Sequence, residues 1–74
     1  MHISVRLYAS LREGHEAEEE LEVPTGSTIA SVIETLNVAA NAVTLTFING
    51  RHGSLETVLH DSDHLALFPP VGGG

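Results

Sequence analysis

The sequence has no cysteine and no lysine, and it carries three arginines against ten acidic residues, for a formal net charge of -7. Without cysteine there can be no disulfide framework, cysteine-based zinc site, iron–sulfur cluster, or cysteine persulfide or thioester on this chain. Binding to phosphate groups needs several lysine or arginine side chains on one face, and three arginines are too few. Neither nucleic acid nor an anionic membrane is therefore an expected partner. Without lysine, a polymer of this chain joined through lysine side chains is disfavoured. The net negative charge instead favours a partner protein with a basic surface.

Long hydrophobic runs and autonomous catalytic motifs are also missing. No apolar stretch approaches the ~20 residues of a membrane span. The first residues lack the basic-then-apolar order of a signal peptide, so a cytoplasmic location is expected. No phosphate-binding loop or serine motif supports an enzyme that acts alone, and we expect no activity from the isolated chain. Seventy-four residues that are 42% hydrophobic predict one small domain with a core and no elaborate active site.

Hydrophobic periodicity predicts two strands followed by a helix. Polar and apolar side chains alternate over residues 2–8 and, more weakly, over residues 18–23, which indicates a hairpin. Pro24-Thr25-Gly26 ends the second strand, and Ser27 is the predicted helix N-cap. The helix is predicted from apolar residues spaced i, i+3, i+4, i+7, namely Ile29, Val32, Ile33 and Leu36.

The second half of the chain predicts further strands separated by turns. Residues 44–48 are rich in β-branched and aromatic side chains, and Asn49-Gly50 after them is a strong turn signal. A turn over residues 54–59 and the Asp61-Ser62-Asp63 turn precede a last strand over residues 64–68. This order predicts an α+β roll, in which one helix covers one face of a sheet. If the first and last strands lie side by side at the centre, the fold is the ubiquitin-like β-grasp, a mixed four- to five-stranded sheet with one helix on one face.

The chain ends in Val71-Gly72-Gly73-Gly74, which has almost nothing to bury. Glycine loses much backbone freedom on folding, so we expect a β-grasp domain over residues 1–70 and a flexible tail over residues 71–74. The tail could enter a neighbour's narrow pocket, and its functional atom would then be in the terminal carboxylate of Gly74. A free carboxylate is a poor acyl donor and needs activation as an adenylate, which another protein must supply. The alternative is a frayed end without function.

The last fourteen residues, Asp61 onward through Phe68-Pro69-Pro70 to the glycines, resemble the end of the MoaD/ThiS ubiquitin-like sulfur carriers. The similarity is greatest to the small subunit of molybdopterin synthase (MoaD), in which a D-G-D turn leads into a strand ending F-P-P-V-x-G-G. Tyr8 through Glu13 and Ile48-Asn49-Gly50 are similar as well. Ser62 departs from the family pattern at the usual turn glycine, and Gly72 occupies a variable position.

The resemblance implies a sulfur carrier whose Gly74 is adenylated, converted to a thiocarboxylate and used to give sulfur to a pterin precursor in molybdenum cofactor synthesis. It implies two partners, an activating adenylyltransferase of the MoeB/ThiF type that uses ATP and Mg, and a large synthase subunit of the MoaE type. This chain itself would bind no cofactor. The segment that docks on the partners would be Phe68, Pro69, Pro70, Val71, Gly72 and Gly73. Carriage of sulfur for thiamin thiazole or amino-acid synthesis, a protein modifier and a ubiquitin-like binding module remain alternatives.

Three weaker features complete the predictions. His60 and His64 are four residues apart, but the turn between them argues against a metal site, and none is predicted. The run of glutamates at 18–20 indicates a solvated sheet edge, with contact to a basic partner as the alternative. Apolar residues alternate imperfectly at 45–48, so either Phe47 or Ile48 faces outward. The outward residue could form a docking patch with Tyr8 and Phe68, or simply pack at the edge.

Overall fold

The computed structural model describes residues 1–12 and 14–70. Its single mixed sheet has the order β2-β1-β5-β3-β4. The strands are β1 (His2–Leu7), β2 (Glu18–Glu22), β3 (Leu45–Ile48), β4 (Arg51–His52) and β5 (His64–Phe68), and the helix α1 spans Ile29–Thr35. Strand β1 is parallel to β5 and antiparallel to β2, and β3 is antiparallel to β4 and β5. The predicted β-grasp, with its first and last strands adjacent, is confirmed.

One aliphatic core lies between the helix and one face of the sheet. The alternation in β1 turns Ile3, Val5 and Leu7 inward, and each is at most 1% exposed. The four residues that predicted the helix are all buried, as that pattern required. Burial of each large aliphatic side chain contributes about 1.5–3 kcal/mol. The buried hydrophobic set contains no aromatic residue: Ile3, Val5, Leu7, Leu11, Val23, Ile29, Val32, Ile33, Leu36, Leu59, Leu65 and Leu67.

The helix begins one residue later than predicted, because Thr28 and not Ser27 is its N-cap. The Thr28 hydroxyl accepts a hydrogen bond from the Ser31 amide at 3.2 Å, and the Ser31 hydroxyl accepts one from the Thr28 amide at 2.9 Å. This reciprocal pair is a capping box, and it satisfies two amides that the helix itself cannot. The Ser27 hydroxyl instead donates to the carbonyl of Pro24 at 2.7 Å.

Residues with positive φ form the turns that position the last strands. Asn49 and Gly50 have φ of 51° and 81°, as expected for a two-residue hairpin turn between β3 and β4. Ser62 has φ of 71°, which explains why glycine suits this position of the Asp61-Ser62-Asp63 turn. The predicted domain of residues 1–70 and tail of residues 71–74 stay a prediction, because Glu13 and residues 71–74 lie outside the described part. Within that part, no helix is long and apolar enough to cross a membrane.

Candidate functional site

We call the sheet face opposite the helix the open face. The register between β3 and β5 shows which residue of β3 points to it. Phe47 pairs with Ala66 of β5. Ile48 pairs with Leu65 of the same strand, which is 2% exposed and belongs to the core. Residues directly opposite each other on adjacent strands share a face of the sheet. Phe47 therefore lies on the open face, while Ile48 packs against the core cluster.

All three aromatic residues of the chain meet on the open face. Tyr8 and Phe68 are stacked with ring centroids 4.2 Å apart and planes 12° from parallel. Phe47 contacts Phe68 edge-on at 5.7 Å, and His52 contacts Phe47 in the same way at 5.7 Å. We call Tyr8, Phe47 and Phe68 the aromatic cluster. Pairs in such geometries contribute about 0.5–1.5 kcal/mol each, yet every ring of the cluster is only half-buried and keeps surface free for contact.

The aromatic cluster lies where the chain leaves the sheet. The carbonyl of Phe68 accepts a hydrogen bond from the Thr44 amide at 2.8 Å, and the Tyr8 amide donates to the carbonyl of Leu67 at 3.3 Å. These bonds hold the end of β5 on both sides. Pro69 and Pro70 follow with no amide hydrogen for a further ladder, half-buried and exposed respectively. The predicted site residues Val71, Gly72, Gly73 and Gly74 lie outside the described residues, so their roles stay predictions.

A shallow groove of about 410 Å³ extends from the aromatic cluster across the open face. Phe47, Phe68 and Ala66 line its apolar side, and Arg6 and Glu18 line its polar side. An apolar surface with a charged margin suits a protein side chain or loop better than a phosphorylated ligand, because Arg6 is the one arginine among the described residues that line it.

Glu18 is one of three carboxylates at alternate positions of β2, which we call the acidic column: Glu18, Glu20 and Glu22. The register pairs them with Arg6, Ser4 and His2 of β1, whose side chains alternate with the core residues and so point to the open face. Alternate residues of a strand are about 6.5–7 Å apart, so the column runs beside the groove as a stripe. Arg6 lies 3.8 Å from Glu18, a distance typical of a weak exposed ion pair.

His2 bridges the other two carboxylates of the acidic column. Its Nε2 lies 2.5 Å from Glu20 and its Nδ1 lies 3.2 Å from Glu22. A neutral imidazole has one N–H, so two such contacts require the imidazolium form. Hydrogen bonds to Glu20 and then to Glu22 accordingly raise the pKa of His2 above its ordinary value. The side chains of Tyr8 and then Glu18 likewise raise the pKa of Arg6.

The remaining histidines do not assemble a metal centre in the described residues, which contain no group of three or more suitable ligands. His64 lies on the open face, where its Nδ1 is 2.6 Å from the Ser4 hydroxyl. His60 lies on the other side of the intervening turn and is exposed. The backbone amide of His60 donates to Asp63, and so does the side-chain amide of Asn49. Asp63 thus serves to hold the turn before β5.

Sequence reasoning identified part of this site. The structure brings Phe68 to the open face, with Pro69 and Pro70 directly after it in the chain, and places Tyr8 and Phe47 beside Phe68. It also shows two features that the sequence did not predict: His2 bridges Glu20 and Glu22, and Glu18 lines the groove. The alternation over residues 18–23 predicts Glu20 and Glu22 on the face opposite Leu21 and Val23, and the burial pattern confirms this.

The order of strands and the single helix define a ubiquitin-like β-grasp protein. The chain belongs to the ThiS family, whose model matches residues 5–74. A comparison with curated proteins gives no significant match.

Similar solved structures support the same class. A protein provisionally assigned as molybdopterin converting factor subunit 1 from Pyrococcus furiosus is 28% identical, with a TM-score of 0.75, over 95% of this chain and 98% of that one. Small archaeal modifier protein 1 from Methanosarcina acetivorans is 27% identical, with a TM-score of 0.74, over 99% and 96%. Subunit 1 of the molybdopterin-converting factor from Helicobacter pylori, solved in complex with subunit 2, shares the fold at 22% identity, with a TM-score of 0.66 and full coverage of both chains.

Proposed function

We propose that this protein is a sulfur carrier that delivers sulfur from a Gly74 thiocarboxylate to a pterin precursor in molybdenum cofactor synthesis. The observation that carries the proposal is the position of the aromatic cluster. The chain's only aromatic side chains gather on the open face, where β5 continues through Pro69-Pro70 toward the glycines. A partner that grips this cluster would receive the tail beside it. Membership of the ThiS family and the similarity to converting-factor subunits support this reading.

The chemistry proposed for the tail needs two displacements. An oxygen of the Gly74 carboxylate attacks the α-phosphorus of ATP and pyrophosphate leaves, which gives an acyl adenylate. Hydrosulfide then attacks the acyl carbon and AMP leaves with the electron pair of the broken C–O bond, which gives the thiocarboxylate. The carrier contributes the reacting carboxylate, and an activating adenylyltransferase contributes the ATP and Mg site. A side-chain thiol is not required, which agrees with a cysteine-free sequence.

Two partners follow from this proposal. The Helicobacter pylori relative is seen with a second subunit, which supports a large synthase subunit as one partner here. The activating enzyme is the other. Phe68, Pro69 and Pro70 would dock on each partner at the surface, while Val71, Gly72 and Gly73 would enter the pocket.

A protein modifier is the second candidate, because one similar structure is a small archaeal modifier protein. It would use the same adenylate but pass the Gly74 acyl group to an amine of another protein. A lysine-free chain would then be attached without lysine-linked chains of its own kind. Thiamin thiazole or amino-acid synthesis is an alternative destination for the sulfur, through the same thiocarboxylate.

Intact mass distinguishes these functions. The protein is incubated with the activating enzyme from the same genome, ATP, Mg and sulfide, and then weighed. A sulfur carrier gains the mass that replaces one oxygen by sulfur, whereas an unchanged mass rejects the proposal. Addition of a precursor pterin and the large subunit should return the carrier to its original mass. A shift of the carrier onto other proteins in an extract supports the modifier instead.

A single residue added after Gly74 should abolish this mass change without altering the melting temperature. The extension converts the carboxylate of Gly74 into a peptide carbonyl and leaves the aliphatic core untouched. Gly72→Ala is the matched control, because it alters the tail but keeps the terminal carboxylate, and it should retain activity. Equal thiocarboxylate formation by the extended chain would contradict the proposed role of Gly74.

A further inference from the structure

We propose that Asn49 is a site of deamidation whose reaction the folded chain slows, and that the carboxylate formed there destabilises the junction between the β3–β4 turn and β5. The reaction needs only water and base, and it is independent of the proposed function. Two features of the turn occur together, an exposed Asn-Gly bond and a side-chain amide that is hydrogen-bonded at both of its ends.

Asn49-Gly50 is the one Asn-Gly bond of the chain, because the other two asparagines, Asn37 and Asn41, precede residues with a side chain. In deamidation the backbone nitrogen of the next residue attacks the side-chain amide carbon of asparagine. Glycine has no Cβ, so the nitrogen of Gly50 is less hindered than those after Asn37 and Asn41. Asn49 and Gly50 are both exposed, so water and base reach the reacting atoms. Reaction is therefore favoured at this bond over the other two.

The covalent change passes through a cyclic imide. A base takes the backbone proton of Gly50, and the nitrogen then attacks Cγ of Asn49. The bond from Cγ to Nδ2 breaks, and Nδ2 leaves as ammonia with the electron pair of that bond and a proton. Water adds to one of the two carbonyls of the imide, and the ring opens to aspartate or to isoaspartate. No oxidant, reductant or enzyme takes part.

Hydrogen bonds hold the side-chain amide of Asn49 in a position that opposes this reaction. Its Nδ2 donates to Oδ1 of Asp63 at 2.8 Å, and its Oδ1 accepts from the backbone amide of His64 at 2.9 Å. The backbone amide of Asn49 also donates to the carbonyl of His64 at 2.8 Å. Attack on Cγ requires the amide to leave its two partners, and loss of ammonia removes the donor to Asp63. The reaction therefore needs a local opening of the turn, which lowers the fraction of molecules that can react.

The product places two carboxylates where an amide and a carboxylate now meet. Asp63 is 8% exposed, and its Oδ2 accepts the backbone amide of His60 at 2.6 Å in the turn before β5. An aspartate at position 49 has no N–H for Asp63, so a like charge replaces the donor. Removal of the donor to a buried carboxylate oxygen costs stability. Deamidation therefore weakens the contact that joins the β3–β4 turn to the start of β5.

Peptide mapping by mass spectrometry tests where and how fast the reaction occurs. The full chain is kept at mildly alkaline pH, once folded and once unfolded in guanidinium chloride, and the loss of each asparagine amide is followed with time. In the unfolded chain Asn49 should react faster than Asn37 and Asn41. Folding should slow the reaction at Asn49 about 10-fold or more, because the two hydrogen bonds of its amide must first open.

Thermal unfolding tests the effect of the product on stability. Asn49→Asp reproduces the aspartate product and should lower the melting temperature by about 5 °C or more, because a buried carboxylate loses its donor in a small domain. Asn41→Asp is the matched control, since it makes the same change in charge at an exposed position, and it should shift the melting temperature by less than about 3 °C. The exchange of Asn49→Asp with Asp63→Asn again places a donor opposite an acceptor, so it should recover most of the loss.

Equal rates at Asn49 in the folded and unfolded chains would overturn the inference, because the hydrogen bonds would then give no protection. Faster reaction at Asn37 or Asn41 in the unfolded chain would overturn the choice of site. Equal melting temperatures of the Asn49→Asp and Asn41→Asp variants, or no recovery in the exchanged chain, would overturn the role of Asp63. None of these measurements uses ATP, sulfide or a partner protein, so their outcome is separate from that of the proposed function.

Discussion

Ser62→Gly should stabilise the protein. Ser62 holds φ of 71° in the turn before β5, where a side chain with a Cβ is strained. The left-handed conformation costs such a residue about 1–2 kcal/mol. Glycine removes that cost, but its greater freedom in the unfolded chain offsets about 0.5–1 kcal/mol. The Ser62 amide donates to the carbonyl of His2 at 2.6 Å through the backbone, so glycine keeps this bond.

The net gain is about 0.5–1 kcal/mol, which corresponds to a rise in melting temperature of roughly 2–8 °C for a domain of this size. Thermal unfolding followed by circular dichroism measures it. Ser10→Gly is the matched control, because Ser10 is exposed in the 3₁₀ helix Ala9–Arg12 and does not have positive φ. That control should lose about 0.5–1 kcal/mol. Equal or lower stability of the Ser62 variant would refute the assignment of strain to this turn.

Two further predictions concern the contacts of His2 with Glu20 and Glu22 and the two faces of β5. The pKa of His2 is raised above its ordinary value of 6.5 in the folded state. The stability that protonated His2 gives the fold is therefore complete below about pH 6.5, and it is lost as the pH rises through the folded-state pKa. His2→Gln should therefore lower the melting temperature at about pH 5.5 and have little effect at about pH 9, and a pH-independent difference would contradict the imidazolium. His60→Gln is its control. Leu67→Ala should cost about 2–5 kcal/mol in urea unfolding since Leu67 is fully buried, whereas Phe68→Ala should cost less stability but lose partner binding. Equal stability losses at the two positions would contradict the assignment of Leu67 to the core and of Phe68 to the open face.

Local patterns in the sequence determined most of the fold. Alternation over β1, the helical spacing that ends at Leu36 and the Asn49-Gly50 turn each depend on residues close together in the chain, and the structure confirms all three. Backbone geometry links such neighbours directly, so no distant contact is needed to interpret them.

The start of the helix shows where local reasoning stops. Ser27 and Thr28 both have the hydroxyl that an N-cap requires. The choice between them depends on the distant loop over residues 54–59, whose carbonyls accept hydrogen bonds from the amides of Ile29 at 3.1 Å and Ala30 at 2.9 Å. Thr28 itself forms a bridge with Val58 in that loop.

Only the tertiary structure assembled the aromatic cluster on the open face. The alternation of β3 places Phe47 and Ile48 on opposite faces of the sheet. It does not determine which of the two faces the core, because that depends on the register with β5. Tyr8, Phe47 and Phe68 come together through the neighbouring positions of β1, β5 and β3, and strand order is not contained in any single stretch of sequence. The sequence alone therefore determined which segments form strands, helix and turns, whereas long-range pairing decided which side chains a partner would meet.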